Sequence, residues 1–126
     1  MIDGIKCTAF GVNPDVLRSR LEFFTPINDS TGEAAPYSYA RLGDLRLTLT
    51  RNQTCIIRGS IHKYAHNGLN STDFGFSDLI KCMGNLADYF EIEPENFALH
   101  NVEFGVNLDY PPSEILENVL LYGSIP

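Results

Sequence analysis

The sequence predicts a single α+β domain, and three observations lead to that class. The chain has 126 residues, which is the size of one domain. Hydrophobic residues make up 44% of it, a fraction typical of a globular chain. Stretches in which apolar and polar residues alternate, as in strands, are separated by stretches with helical spacing. We therefore expect one domain over residues 1–126.

The first two elements are a strand and a short helix. Apolar residues recur at every second position from Ile5 to Ala9, which predicts a strand over residues 2–10. Asn13-Pro14-Asp15 then supplies an N-cap, a proline for the first helical position and an acid in the first turn. Pro26 ends this helix, and residues 25–36 are polar and rich in turn formers, which predicts a loop.

The remaining elements follow from the same patterns. Residues 45–50 and 55–64 alternate on either side of a predicted tight turn, which indicates a hairpin. A long helix is expected to begin at Ser77-Asp78 and to continue to Phe90. Residues 99–108 predict a last strand, with Val102 and Phe104 directed to the core, and residues 114–122 a short C-terminal helix.

The resulting order is β-α-β-β-α-β with one added helix, which is the ferredoxin-like pattern. It implies a four-stranded antiparallel sheet in the order 4-1-3-2, with two helices covering one face. The other face is then open to solvent or to a ligand, so its residues are the first place to look for a site.

Alternation assigns a polar set of side chains to this open face. It contains three of the nine basic residues and one acid, in a chain whose formal charge is −7. A face of this kind suits a phosphate-bearing strand, although an ordinary solvated antiparallel face has a similar composition. The set is Lys6, Thr8, Phe10, Arg46, Thr48, Thr50, Arg58, Ser60, His62, Tyr64, Asn101, Glu103 and Asn107.

Three members of this set could hold a divalent cation such as magnesium or manganese. His62, Glu103 and Asn107 would supply nitrogen and oxygen ligands from neighbouring strands. The alternative is that His62 and Glu103 form only hydrogen bonds or face solvent.

The net charge and the cysteines limit the kinds of partner and the cellular compartment that we expect. A charge of −7 argues against a protein that coats nucleic acid or anionic lipid without selectivity, and no apolar run approaches the roughly 20 residues of a membrane span. The three cysteines, Cys7, Cys55 and Cys82, are an odd number without metal-ligand spacing. They are expected to be buried thiols of a cytoplasmic protein.

Several short motifs resemble the N-terminal region of phage and plasmid rolling-circle replication initiators. These proteins often show a GS-x-x-K strand, a G-x-N turn, a run leading to D-L at the start of a helix, and a strand of the form R-I-D-x-x-x-D. The matching stretches are residues 58–64 (RGSIHKY), 68–70 (GLN), 73–79 (DFGFSDL) and 101–107 (NVEFGVN). Asn101 and Asn107 depart from the last pattern, where the family has a basic residue and an acid.

The resemblance implies a module that binds single-stranded or hairpin origin DNA on the open face. The residues expected to contact the DNA are Lys6, Arg46, Arg58, Ser60, His62, Lys63 and Tyr64. No tyrosine of the chain matches the family's nicking motif, so enzymatic activity is left open and the chain is expected to correspond to the N-terminal half of a longer initiator. Two alternatives stand beside this interpretation: a small acidic interaction domain, forming a homodimer through the same face, and a complete metal-dependent nuclease.

Overall fold

A computed structural model describes residues 1–69 and 72–105 of the chain. These residues form five strands, three α-helices and one 3₁₀ turn. In chain order they are β1 (Ile2–Phe10), α1 (Pro14–Arg20), β2 (Tyr37–Leu42), β3 (Leu45–Thr50), β4 (Thr54–Ser60), α2 (Ile61–Ala65), α3 (Phe76–Phe90), the 3₁₀ turn (Pro94–Asn96) and β5 (Phe97–Phe104). Within this part of the chain, no helix is both long enough and apolar enough to span a membrane.

The five strands form one antiparallel sheet in the order β2-β3-β4-β1-β5. The predicted α+β class is confirmed, and the four predicted strands occur in the predicted neighbour order. The expectation of a four-stranded ferredoxin-like sheet is wrong in one respect, because a fifth strand, β2, is added at the edge beside β3.

The additional strand β2 forms a hairpin with β3. Gly43 adopts a φ of 60° in the two-residue connection, a left-handed conformation that glycine accepts without steric cost. Ser38 and Ala40, two of the three inward residues of β2, are small, and only Leu42 is large and apolar, so the strand lacks the apolar alternation that marked its neighbours. This is the physical reason why the sequence pattern did not predict it.

Strand β4 is shorter than predicted, because the chain turns into a helix at Ser60. Gly59 has a φ of 135°, and a Cβ at this position would collide with the Asp44 backbone oxygen. The Ser60 hydroxyl accepts a hydrogen bond from the Lys63 backbone N–H at 3.2 Å and so caps α2. The predicted strand over 55–64 is therefore wrong beyond Ser60.

The helices cover one face of the sheet and enclose the core. Alternate residues of β1, β3 and β4 point into it, among them Cys7, Leu47 and Ile57, none of which is accessible to solvent. Helix α1 begins as predicted, with the Asn13 side chain accepting from the Asp15 backbone N–H at 3.0 Å. Leu17 of α1 and Leu86 and Phe90 of α3 complete the core. Among residues 1–69 and 72–105, none of this packing lies on the opposite face.

The last strand departs from its predicted packing. Phe104, expected in the core, is 75% exposed, whereas Val102 packs against the core as expected. The strand begins earlier than predicted, at Phe97. The predicted strand residues 106–108 and the predicted helix over 114–122 lie outside the described residues.

Candidate functional site

Four basic side chains form a row across the open face of the sheet. Lys6 of β1 lies opposite Arg58 of β4, Arg58 opposite Arg46 of β3, and Arg46 opposite Arg41 of β2. Asn101 of β5 lies opposite Lys6 and extends the row on the other side. Directly opposed residues of antiparallel strands share a face, with Cβ atoms about 5 Å apart. We call Lys6, Arg58, Arg46 and Arg41 the basic row.

No member of the basic row forms an ion pair within the described residues. The single ion pair found there joins Arg20 and Glu91, at 3.8 Å, away from the sheet face. Like charges placed directly opposite each other destabilise a sheet. The protein thus concentrates positive charge on one face at a cost in stability, although its formal charge is −7.

The neighbouring row on the same face is uncharged and ends in aromatic rings. It runs through Thr8, Ile56, Thr48 and Tyr39, which lie opposite one another on successive strands. The Thr8 hydroxyl is 2.8 Å from His100 Nε2, at the point where β5 has an extra residue in its pairing with β1. These half-buried side chains offer a flat surface beside the charges.

An acidic group lies near the Lys6 end of the basic row. Asp3 and Glu103 line a shallow pocket of about 260 Å³ together with Lys6 and Arg58. The Ser60 hydroxyl donates to Asp3 Oδ1 at 3.0 Å, which fixes the Asp3 carboxylate in place. The positive charge of the row is therefore least compensated at Arg46 and Arg41, which lie farther from these carboxylates.

The structure brings three of the predicted DNA-contacting residues together. Lys6, Arg46 and Arg58 occupy one face as predicted, and their mutual register confirms that placement, whereas the contact with DNA stays a prediction. Ser60 is half-buried, caps α2 and hydrogen-bonds Asp3.

The other three predicted contact residues do not lie on the sheet face. His62, Lys63 and Tyr64 belong to α2, because β4 ends at Ser60. His62 is completely buried and stacks on Phe74, with ring centroids 5.2 Å apart. The Tyr64 ring packs against the core, and burial raises the pKa of its phenol, which opposes formation of a phenolate nucleophile. The assignment of His62 and Tyr64 to the open face is therefore wrong, and DNA contact by Lys63 stays a prediction.

The predicted metal ligands are not brought together on a common face. His62 lies in the core, where neither ring nitrogen has a hydrogen-bond partner among the described residues, whereas Glu103 is exposed on β5. Asn107 lies outside the described residues. Over residues 1–69 and 72–105, no three His, Cys, Asp or Glu side chains are grouped as a metal site. The described residues thus do not form the divalent-cation site expected from the sequence pattern, and metal binding remains a prediction.

The sequence pattern missed the part of the face that β2 contributes. Arg41 completes the basic row, and Tyr39 ends the uncharged row beside it. The available signal was the alternation of Tyr37, Tyr39 and Arg41 with small residues, followed by Gly43-Asp44.

Searches against protein-family models, curated proteins and solved structures found no match to this chain.

Proposed function

We propose that this chain binds single-stranded or hairpin DNA through the open face of its sheet. The observation that carries the proposal is the basic row, in which four cations lie side by side without an ion-pair partner in the described part of the chain. Opposed cations are unfavourable in the free protein, and a phosphate backbone laid along the row would relieve their repulsion.

The dimensions of the row suit a short stretch of backbone. Neighbouring strands lie about 4.8 Å apart, so four cations on successive strands span about 14 Å. That length accommodates two or three consecutive phosphates of an extended strand, which would cross the sheet perpendicular to its β-strands. The remaining surface is acidic on balance, so we expect modest affinity that is strongly reduced by salt.

The resemblance to rolling-circle initiators is the reason for proposing DNA. What the resemblance implies, and what we propose, is a DNA-binding module of a mobile-element replication protein. The proposal concerns binding and not cleavage, since Tyr64, the tyrosine that the sequence pattern put on the face, packs against the core.

The proposal is tested by titrating a labelled oligodeoxynucleotide of about ten nucleotides, and a hairpin, while following fluorescence anisotropy. With two or three phosphates neutralised, the logarithm of the association constant should fall with the logarithm of salt concentration with a slope of about −1.4 to −2.1, or roughly 7- to 18-fold between about 50 and 200 mM. The double variant Arg46→Ala plus Arg58→Ala should halve that slope.

A charge-matched control removes two cations from the helical side of the molecule. Arg20→Ala plus Lys81→Ala changes the net charge equally, and both residues are exposed on helices. The control should bind nearly as the unmodified protein does. Absence of binding at low salt, or an equal loss in both double variants, would overturn the proposal.

A second candidate function, self-association, is favoured by an apolar groove. Phe76, Leu99 and Phe104 are exposed and, with Met1 and Val102 among its other lining residues, form a groove of about 270 Å³. The basic row would repel itself in a dimer built through the open face, whereas two copies can meet at this uncharged groove.

Light scattering tests this second candidate. A dimer that Phe104→Ser converts to a monomer would support self-association through the groove. A monomer at high protein concentration would contradict it.

A further inference from the structure

We infer that Phe24 and Tyr39 form a stacking platform for an unpaired nucleobase, beside the basic row. This inference rests on the proposed function and names the part of the DNA that the face would recognise. It concerns two residues that the sequence pattern did not assign to any site.

The backbone places Phe24 at the edge of the sheet. Its N–H donates to the Tyr39 carbonyl at 2.8 Å, and the Tyr39 N–H donates to the Phe24 carbonyl at 2.9 Å. This two-way pair extends the uncharged row by one position beyond β2 and puts the two side chains on the same face. The loop after α1 is thereby fixed to the sheet, so the aromatic position is defined by backbone hydrogen bonds.

The side chains of Arg46, Tyr39 and Phe24 form a contiguous group that remains accessible. The Arg46 guanidinium lies over the Tyr39 ring, 4.7 Å from its centroid, and the Phe24 ring is tilted beside Tyr39 at 5.9 Å. Phe24 is 51% exposed, although a ring of this size is usually buried when it serves only packing. A nucleobase stacked on Phe24 would continue the series of flat groups.

The platform and the basic row are matched in spacing to one nucleotide. Tyr39 and Arg41 are two residues apart on the same strand, about 7 Å, and both face outwards. A phosphate held by Arg41 and Arg46 would therefore leave its base within reach of Tyr39 and Phe24. The arginines would thus bind the phosphate of a nucleotide, and the aromatic rings would contact its base.

This arrangement discriminates between paired and unpaired DNA. In a duplex the faces of the bases are covered by their neighbours and cannot stack on a protein ring, whereas the phosphates remain available. The basic row alone would bind both forms. The platform therefore predicts a preference for a single strand, and for the loop of a hairpin over its stem.

The experiment compares three ligands of equal length: an oligothymidylate, the corresponding strand of abasic sites, and a duplex. Stacking should make the oligothymidylate bind about tenfold more tightly than the abasic strand. Phe24→Ala should remove most of that tenfold difference and leave the abasic strand unaffected. Tyr39→Leu should act in the same direction while keeping apolar cover over the sheet.

Ile80→Ala is the matched control, since it removes another exposed apolar side chain, on α3 and outside both the open face and the apolar groove. It should leave all three affinities unchanged. Equal affinity of the unmodified protein for the oligothymidylate and the abasic strand would overturn the platform while leaving the proposed function intact. No binding to any of the three would overturn the proposed function itself.

Discussion

The two faces of this sheet are built from the same strands and differ in almost every physical property. Ile57 points into the core and is inaccessible, while its neighbour Ile56 lies half-buried on the other face between Thr8 and Thr48. The covered face consists of aliphatic residues and thiols under the helices. The open face carries the basic row, its threonine neighbours and an aromatic edge. A strand period of two allows one sequence to supply both surfaces.

This difference shows that the net charge of the whole chain can conceal a locally basic surface. The formal charge of −7 describes the molecule as a whole. The basic row describes one face, where four like charges are opposed directly. Substitutions on the covered face should mainly change the free energy of unfolding, whereas substitutions on the open face should mainly change the affinity for DNA. The following predictions test that contrast.

The largest contrast is expected in thiol reactivity on the covered face. Burial raises the pKa of Cys7 and of Cys55 from 9.0 to about 12. Because the thiolate is the reactive form, labelling at about pH 8 should be roughly a thousandfold slower in the folded protein than in denaturant. Rapid labelling of both thiols in the native state would show that the covered face is open to solvent.

The same shifts set the direction of a pH dependence. The folded state favours the neutral thiols, so their contribution to stability is complete below pH 9.0 and is lost as the pH rises towards about 12. Denaturation of a Cys7→Ala plus Cys55→Ala variant, followed at several pH values, should show a weaker decline over this interval.

Truncation on the covered face should cost the most stability. Leu47→Ala removes a completely buried side chain of β3 and should lower the free energy of unfolding by about 2–5 kcal/mol. The adjacent Thr48→Ala, on the open face, should change it by about 0.5 kcal/mol or less. Urea denaturation measures both, and equal losses would contradict the assignment of the two faces.

Replacement of His62 separates the core from the DNA site. His62→Phe keeps a ring against Phe74 and removes two buried nitrogens that lack partners within the described residues, so stability should rise by about 1 kcal/mol. DNA affinity should be unchanged. A loss of DNA affinity in a variant that remains folded would indicate that His62 takes part in DNA binding and would contradict this prediction.

The smallest effect is expected within the basic row. Arg58→Thr removes a cation that faces both Lys6 and Arg46, and so should stabilise the protein by about 0.5 kcal/mol at low salt. The gain should shrink as salt screens the repulsion. The same variant should bind DNA more weakly, and a variant that is both less stable and unchanged in binding would contradict the role of the row.

Sequence patterns predicted the strands whose inward residues are large and apolar. The alternation of Leu45, Leu47 and Leu49 was sufficient to place Arg46 on the open face. Prediction failed where backbone geometry decides the structure. Gly59 and Ser60 end β4, and the chain continues as helix α2, which directs His62 into the core. The alternation of apolar and polar residues gives no indication of this change from strand to helix.

The aromatic edge shows a second limit of sequence patterns. Phe24 follows α1 at helical spacing and was therefore expected to belong to that helix, which ends at Arg20. Its actual position depends on backbone pairing with Tyr39, a contact between distant segments. Such a contact depends on a strand, β2, that shows little apolar alternation because its inward residues Ser38 and Ala40 are small.

The most direct test of the account is a methyl-detected NMR titration with an oligothymidylate of about ten nucleotides at low salt. Two pairs of adjacent residues report the two faces: Ile56 with Ile57 on β4, and Thr48 with Leu47 on β3. Binding on the open face should shift the methyl signals of Ile56 and Thr48 and leave those of Ile57 and Leu47 nearly unmoved. Shifts confined to helix methyl groups, or no shifts at saturating DNA, would contradict it.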